Sequence, residues 1–400
     1  MPRRILYLSG TRADFGLMRH ALCTAAAHPE LEVAVIATGM HLCAEFGQTV
    51  EEIAASGLRI AARIPSDVAA RDGAGMARAI SQTLAGLLPV LQAEQPDALL
   101  LLGDRGEMLA GAIAALHLGV PSIHLHGGER SGTVDEPVRH AISKLAALHF
   151  CATAQSRERL IAMGEEPERI HVVGAPGLDD VGDALHSPRE AALHALQAAL
   201  TRQSSHLDTP HAQGASMLRD DRPYVLALFH PVVQEAGEAA AQTQAMLDGL
   251  RAAGAGADFS VVWMAPNADA GSGAIEALLR AQHWPGFARI THLPRADYLI
   301  ALRHAAALVG NSSSGIIEAA SLGTPVVNVG SRQQLRERNA NTVDVPPQAQ
   351  AIAAAVRAAI AHGPWPLHNV YGNGGSAARI AQLLATLPLS AALLHKVNRY

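Results

Sequence analysis

Short runs of consecutive apolar residues, each followed by a turn and an alanine-rich stretch of helical periodicity, recur along this chain and restrict its fold more than any other feature. Residues 5–9, 32–37, 98–102, 122–125, 148–153 and 170–173 read as strands, with helices expected over 16–27, 50–55, 74–92, 107–118, 134–147 and 155–163. A strand that is apolar on both sides of its pleat must be covered on both faces, and a parallel sheet flanked by helices does this. Strict strand–helix succession therefore predicts a doubly wound α/β fold.

The pattern lapses over residues 184–222, which begin as a plausible helix and end in a stretch rich in His, Ser, Gln and Asp. It resumes with strands at 224–229, 260–264, near 290, 306–309 and 325–329, and helices at 235–252, 273–281, 296–302, 348–361 and 376–384. The expected organisation is two Rossmann-like doubly wound α/β domains facing a central cleft. Residues 1–183 form the first and 223–370 the second; 184–222 are a linker with a poorly ordered tail, and 371–400 a C-terminal helical tail available to pack back on the first domain. The length of 400 residues suits two such cores.

Charged residues make up 17% of the chain, the net charge is −5 and no basic stripe is present, so a nucleic-acid partner is not expected. No segment reaches the ~20 uncharged apolar residues of a membrane span. Three cysteines, Cys23, Cys43 and Cys151, share no ligand spacing and suit a reducing compartment, so the cytoplasm is the expected location. His117, His124 and His126 lack a third ligand at metal spacing, and no metal site is expected.

Ligands of doubly wound folds bind beyond the carboxyl ends of the strands, so the polar residues there are the candidates. The first half offers Arg12, Asp104, Arg105, Glu107, His126, Glu129, Asp135 and Glu136. The second offers His230, Asn267 and the stretch GNSSSGIIEAASLGTPVVNVGSR from Gly310 to Arg332. There, Ser313 or Ser314 opens a helix whose N-terminal amides suit a phosphate, with Glu318 a turn further on as a ribose acceptor. Crowded carboxylates can divide into an acid and a base, and arginines can grip a pyrophosphate. Structural alternatives exist: Asp104 could cap the next helix, Asp135 and Arg139 could form a local ion pair, His126 could be a covered sheet residue, and His230 could pack against a loop.

The strings GTRADFG, GDRGEMLAGA, HGGERSGTVDEPVRHAISKLA, HP after a strand, PNADAGS, GNSSSGIIEAASLGTPVVN and GSRQ occur in this order. Together they resemble the hydrolysing UDP-N-acetylglucosamine 2-epimerases of sialic- and legionaminic-acid biosynthesis, over a span from about Ile5 to Arg332. The resemblance implies a fold like the GT-B glycosyltransferases, a UDP-sugar substrate, no cofactor and a homo-oligomer. Arg12, Arg105, His230, Asn267, Ser312, Ser313, Glu318 and Arg332 match nucleotide-binding positions, with Glu318 on the ribose; Asp104 and Asp135 match catalytic carboxylates.

The sequence departs from the family pattern in two places. His126 stands where some members carry Glu, so His126 or Glu129 takes that acid–base role, and Gly16 replaces a serine of some relatives. The implied reaction removes the C2 proton while UDP leaves C1, then hydrates the resulting 2-acetamidoglucal, with His230 contacting phosphate and assisting as an acid. The alternatives are the same reaction on a UDP-2,4-diacetamido-2,4,6-trideoxyhexose, or a retaining glycosyltransferase.

Overall fold

A computed structural model describes residues 2–70, 72–204, 218–255 and 258–399, arranged as two compact units. The first comprises residues up to 130, 134–179 and those from Tyr371 onward; the second comprises Ser131–Thr133 and Asp180–Val370.

The first unit holds a seven-stranded sheet of β1 (Arg3–Ser9), β2 (Leu31–Thr38), β3 (Arg59–Ile64), β4 (Ala98–Leu102), β5 (Ser122–Leu125), β6 (Leu148–Cys151) and β7 (Ile170–Val172). Every pairing is parallel and the order is β3-β2-β1-β4-β5-β6-β7. The continuous apolar runs are explained by two cores, one on each face. Ile5 and Tyr7 join Phe15, Met18 and Leu22 of helix Arg12–Ala26, together with Ile380 and Leu384 of helix Ser376–Thr386. Leu6 and Leu8 point the other way, onto Leu87, Leu91, Met108 and Ile142.

The second unit has a six-stranded parallel sheet of β8 (Tyr224–Leu228), β9 (Ser260–Met264), β10 (Phe287–Ile290), β11 (Ala307–Gly310), β12 (Val326–Val329) and β13 (Thr342–Val345), in the order β10-β9-β8-β11-β12-β13. In each sheet the winding reverses beside a central strand, between β1 and β4 and between β8 and β11. These reversals open a crevice where the flanking connections diverge to opposite faces.

Three expectations need correction. Residues 184–222, read as a linker, contribute helices Val181–His186 and Arg189–Ser204 to the second unit. Ala192, Leu196, Ala199 and Leu200 recur at helical spacing and are buried, and Arg189 donates to the carbonyls of His304 (3.1 Å) and Arg222 (2.7 Å). The polar stretch 205–217, expected to be poorly ordered, lies outside the described residues. Strands β3 and β13 were not anticipated, because as edge strands they keep exposed polar residues, Arg59 and Asp344 among them, that interrupt an apolar run. The helix expected after Ser313 is two short pieces, Ser313–Ile317 and Ala319–Leu322, broken at Glu318.

Gly310 shows how tightly the second reversal is packed. Its φ is +140°, and a Cβ there would lie 2.0 Å from the carbonyl oxygen of Leu228. Gly330 also has positive φ (+81°) but nothing within 4 Å of a built Cβ. Gly310→Ala is therefore expected to lower the stability of the unit by roughly 3 kcal/mol or more, and Gly330→Ala by about 1 kcal/mol, read from urea midpoints.

Candidate functional site

In the first unit, β1 runs into a helix start that is closed by its own side chains. Thr11 caps helix Arg12–Ala26 and Asp14 reciprocates, accepting from the amides of Gly10 (3.0 Å) and Thr11 (2.9 Å). Ser9 donates to the same carboxylate and meets His41 Nε2 at 2.9 Å. Arg12, expected in an open loop, is thus the first helical residue and half-buried. Burial pushes its guanidinium down to about 10, against the opposing pull of Glu52, so it stays cationic at neutral pH.

The end of β4 decides the role of Asp104. The N-cap position of helix Gly106–His117 is Arg105, which makes no side-chain cap and lies 3.4 Å from Glu107. Asp104 instead pairs with Arg139, which is fully buried and also donates to the carbonyl of Glu129 at 3.2 Å. β5 stops at Leu125, and His126 turns out of the sheet with φ +60°, its amide donating to Phe150 (3.1 Å) and its Nδ1 bonded to the Glu129 carboxylate. It is therefore not a covered sheet residue. Asp135 is the first residue of helix Asp135–Leu145, one turn before Arg139. One buried guanidinium thus joins Asp104 to the Glu129–His126 pair, while Asp135 opens the helix that carries it.

Beneath them lies His124, with Nε2 2.7 Å from the carbonyl of Gly103 and Nδ1 2.9 Å from Ser143 Oγ. The carbonyl requires a proton on Nε2, so Nδ1 accepts from the serine. Burial, more than any neighbouring charge, pushes this imidazole down to about 3.

In the second unit the reversal is bridged by Asn311, which is 1% exposed. Its Oδ1 accepts from the His230 amide (2.7 Å) and its Nδ2 donates to the His230 carbonyl (2.8 Å), tying the end of β8 to the end of β11. Its own carbonyl accepts from Arg332 (3.2 Å) and Gln333 (3.0 Å). The Asn267 amide donates to His230 Nδ1 at 3.1 Å, so the neutral ring carries its proton on Nε2. Asn311 thereby binds His230 through its side chain and Arg332 through its backbone carbonyl, and His230 in turn binds Asn267.

Ser312 follows directly and caps Ser314 (3.3 Å); Ser313 is half-buried. Glu318 belongs to a separate group, where it meets Arg295 at 2.5 Å and Arg295 meets Asp180 at 3.2 Å. Tyr298, on the helix that begins at Arg295, bonds Ser314 at 2.6 Å.

Sequence reasoning missed two organisers, Arg139 and Asn311. Arg139 had been considered only as a local partner of Asp135, and an asparagine after a strand resembles ordinary turn chemistry. The available signal was position, since each lies on or beside the connection after a strand of the switch region.

No group of His, Cys, Asp and Glu able to hold a metal occurs among the described residues, and no helix there is long and apolar enough to cross a membrane. The model of the UDP-N-acetylglucosamine 2-epimerase family matches residues 24–385. The chain is 43% identical over 401 residues, all of both chains, to a Legionella pneumophila protein named UDP-N,N'-diacetylbacillosamine 2-epimerase (hydrolyzing). It is 30% identical to a Neisseria meningitidis serogroup B UDP-N-acetylglucosamine 2-epimerase, covering 93% of this chain and 91% of the other. The fold matches the crystal structure of UDP-GlcNAc 2-epimerase from Neisseria meningitidis bound to UDP-GlcNAc at a TM-score of 0.72 and 19% identity, over 95% and 99% of the two chains.

His124 makes the first unit acid-sensitive. Its folded pKa of about 3 lies below the ordinary 6.5, so the unfolded chain binds the extra proton and stability falls as pH drops from about 6.5 towards 3. The full loss is on the order of 4–5 kcal/mol. Thermal midpoints between pH 7 and pH 4.5, above the usual carboxylate range, should fall steeply for the wild type and less steeply for His124→Asn.

Proposed function

Because the chain belongs to the UDP-N-acetylglucosamine 2-epimerase family, in its hydrolysing branch, we propose that it converts UDP-N,N'-diacetylbacillosamine to UDP and the free 2-epimer, 2,4-diacetamido-2,4,6-trideoxymannose. The observation that carries this substrate is the full-length identity of 43% to an enzyme named for it. A second reading takes UDP-N-acetylglucosamine to N-acetylmannosamine, favoured by the 30% relative named for that sugar. Either product would serve the synthesis of sialic- or legionaminic-type acids.

In the proposed reaction a base takes the C2 proton while the C1–O bond breaks and UDP leaves, giving a 2-acetamidoglucal. Water then supplies hydroxyl to C1, and a proton returns to C2 on the opposite face. A C2 proton is weakly acidic, so stabilising the departing pyrophosphate contributes much of the rate.

We assign that stabilisation to Arg12, Arg105, His230, Ser312, Ser313 and Arg332, with Asn267 aiding nucleotide binding and Glu318 holding the ribose. Its contact with Arg295 fixes the Glu318 carboxylate and leaves its remaining lone pairs for a hydroxyl. His126 is assigned as the base at C2: the Glu129 carboxylate on Nδ1 raises the basicity of Nε2. Asp104 and Asp135 handle the proton on the other face, and His230, with its proton on Nε2, donates to the leaving phosphate.

Incubation with each UDP-sugar in D2O, without an acceptor, should release UDP and a 2-epimer carrying deuterium at C2, followed by NMR. Intact sugar nucleotides in both cases, or products without deuterium, would sink the proposal, and a requirement for an acceptor would indicate a glycosyltransferase. The faster of the two sugars identifies the substrate.

The assigned roles separate in two variants. Asp104→Asn should lose about 100-fold or more in kcat while binding UDP normally. Arg332→Ala should weaken UDP binding by roughly tenfold, the worth of one charge-assisted hydrogen bond.

A further inference from the structure

The C-terminal end of helix Asp135–Leu145 is closed by a residue about 250 positions away in sequence. Lys396 Nζ donates to the carbonyls of Ser143 (2.8 Å), Lys144 (3.0 Å) and Ala146 (2.9 Å). The last carbonyls of a helix have no partner within it, and they carry the negative end of its dipole, so an ammonium there satisfies both needs.

The ammonium is itself fixed by the buried Glu165 carboxylate at 2.6 Å. Glu165 also accepts from Lys144 (2.6 Å) and meets His149 Nε2 (2.9 Å). Burial alone would raise this carboxyl, but the bonds from His149, Lys144 and Lys396 outweigh it and hold Glu165 at about 2. On either side of Lys396 the terminal segment is tied down: Arg169 donates to the carbonyl of Leu393 (2.6 Å) and the Arg399 amide to that of Gly164 (2.9 Å).

The same helix carries, at its other end, Asp135 and the Arg139 that pairs with Asp104, while Ser143 in its last turn meets His124. A helix of this length is a rod of about 16 Å, so a shift at one end reaches the other with little attenuation. Catalytic groups misplaced by about 1 Å can cost 100-fold in rate.

We propose that Lys396 is a positioning residue for the reaction: by pinning the C-terminal end of helix Asp135–Leu145 it keeps Asp135 and the Arg139–Asp104 pair in register. This rests on the catalytic roles given to Asp104 and Asp135 above. Lys396 touches none of the reacting groups, and its effect passes through the helix.

The test compares wild type with Lys396→Met, the milder Lys396→Gln and the charge-conserving Lys396→Arg. Turnover of the UDP-sugar, UDP affinity by calorimetry and amide hydrogen exchange over residues 139–145 are measured in each. Lys396→Met should lower kcat by 10- to 100-fold, keep UDP affinity within twofold and speed exchange at 139–142 at least tenfold. Lys396→Gln should show a smaller change in the same direction, and Lys396→Arg should recover most of the loss; if Lys396→Met fails to fold, Lys396→Gln carries the comparison.

Unchanged exchange in the variants at 139–142, whose amides bond the first carbonyls of the helix, would overturn the inference, as would a fall in UDP affinity parallel to the fall in kcat. Absence of turnover by the wild type would instead overturn the proposed reaction, and the exchange measurement would still decide whether Lys396 pins the helix.

Discussion

The Arg139 guanidinium is fully buried, and a buried cation is tolerated only when acceptors meet it. This requirement shapes the carboxyl edge of the first sheet. Asp104 is drawn off the helix it could have capped, the carbonyl of Glu129 is turned inward, and the Glu129 side chain reaches His126. Removing the carboxylate would leave the cation without its counter-charge, a loss of about 3–5 kcal/mol for a pair of this kind. The chemistry proposed for these residues and the stability of the unit therefore share one ion pair.

The second unit meets a related demand with a neutral group. At the reversal between β8 and β11, a carboxamide offers one donor and one acceptor, and Asn311 spends both on the backbone of a single residue, His230. An aspartate could accept there but not donate, and a leucine could do neither. A positively charged neighbour, Arg332, donates to the Asn311 carbonyl. An incoming anion would meet cationic and hydrogen-bonding groups rather than a buried carboxylate.

The doubly wound fold was legible because continuous apolar strands such as Leu99–Leu102 need cover on both faces, and that requirement is written in composition and spacing alone. Edge strands β3 and β13 were not, since each keeps polar residues exposed to solvent. Helix Arg189–Ser204 was only half legible: its buried alanines and leucines keep helical spacing, but the polar stretch after it suggested a linker. At the candidate site, the sequence names residue types after strands but not their pairings. The spacing of Asp135 and Arg139 suggests a local pair, but not that the buried Arg139 meets Asp104, a partner 35 residues away in sequence. The break at Glu318 was equally hidden, since nothing in the run of small residues before it forbids a longer helix.

The first unit takes its residues from both ends of the chain, whereas the second, apart from Ser131–Thr133, is one continuous stretch. Helix Ser376–Thr386 shares a core with β1, and Arg3 of β1 donates to the carbonyls of Leu384 and Leu387. The face of β1 that helix Arg12–Ala26 begins to cover is therefore completed only when helix Ser376–Thr386 has been made. The middle of the chain can fold meanwhile, since domains tend to fold as units as they emerge. Contacts of such long sequence separation slow folding, and the apolar patch that helix Ser376–Thr386 covers last is where a nascent chain of this kind would most need a chaperone.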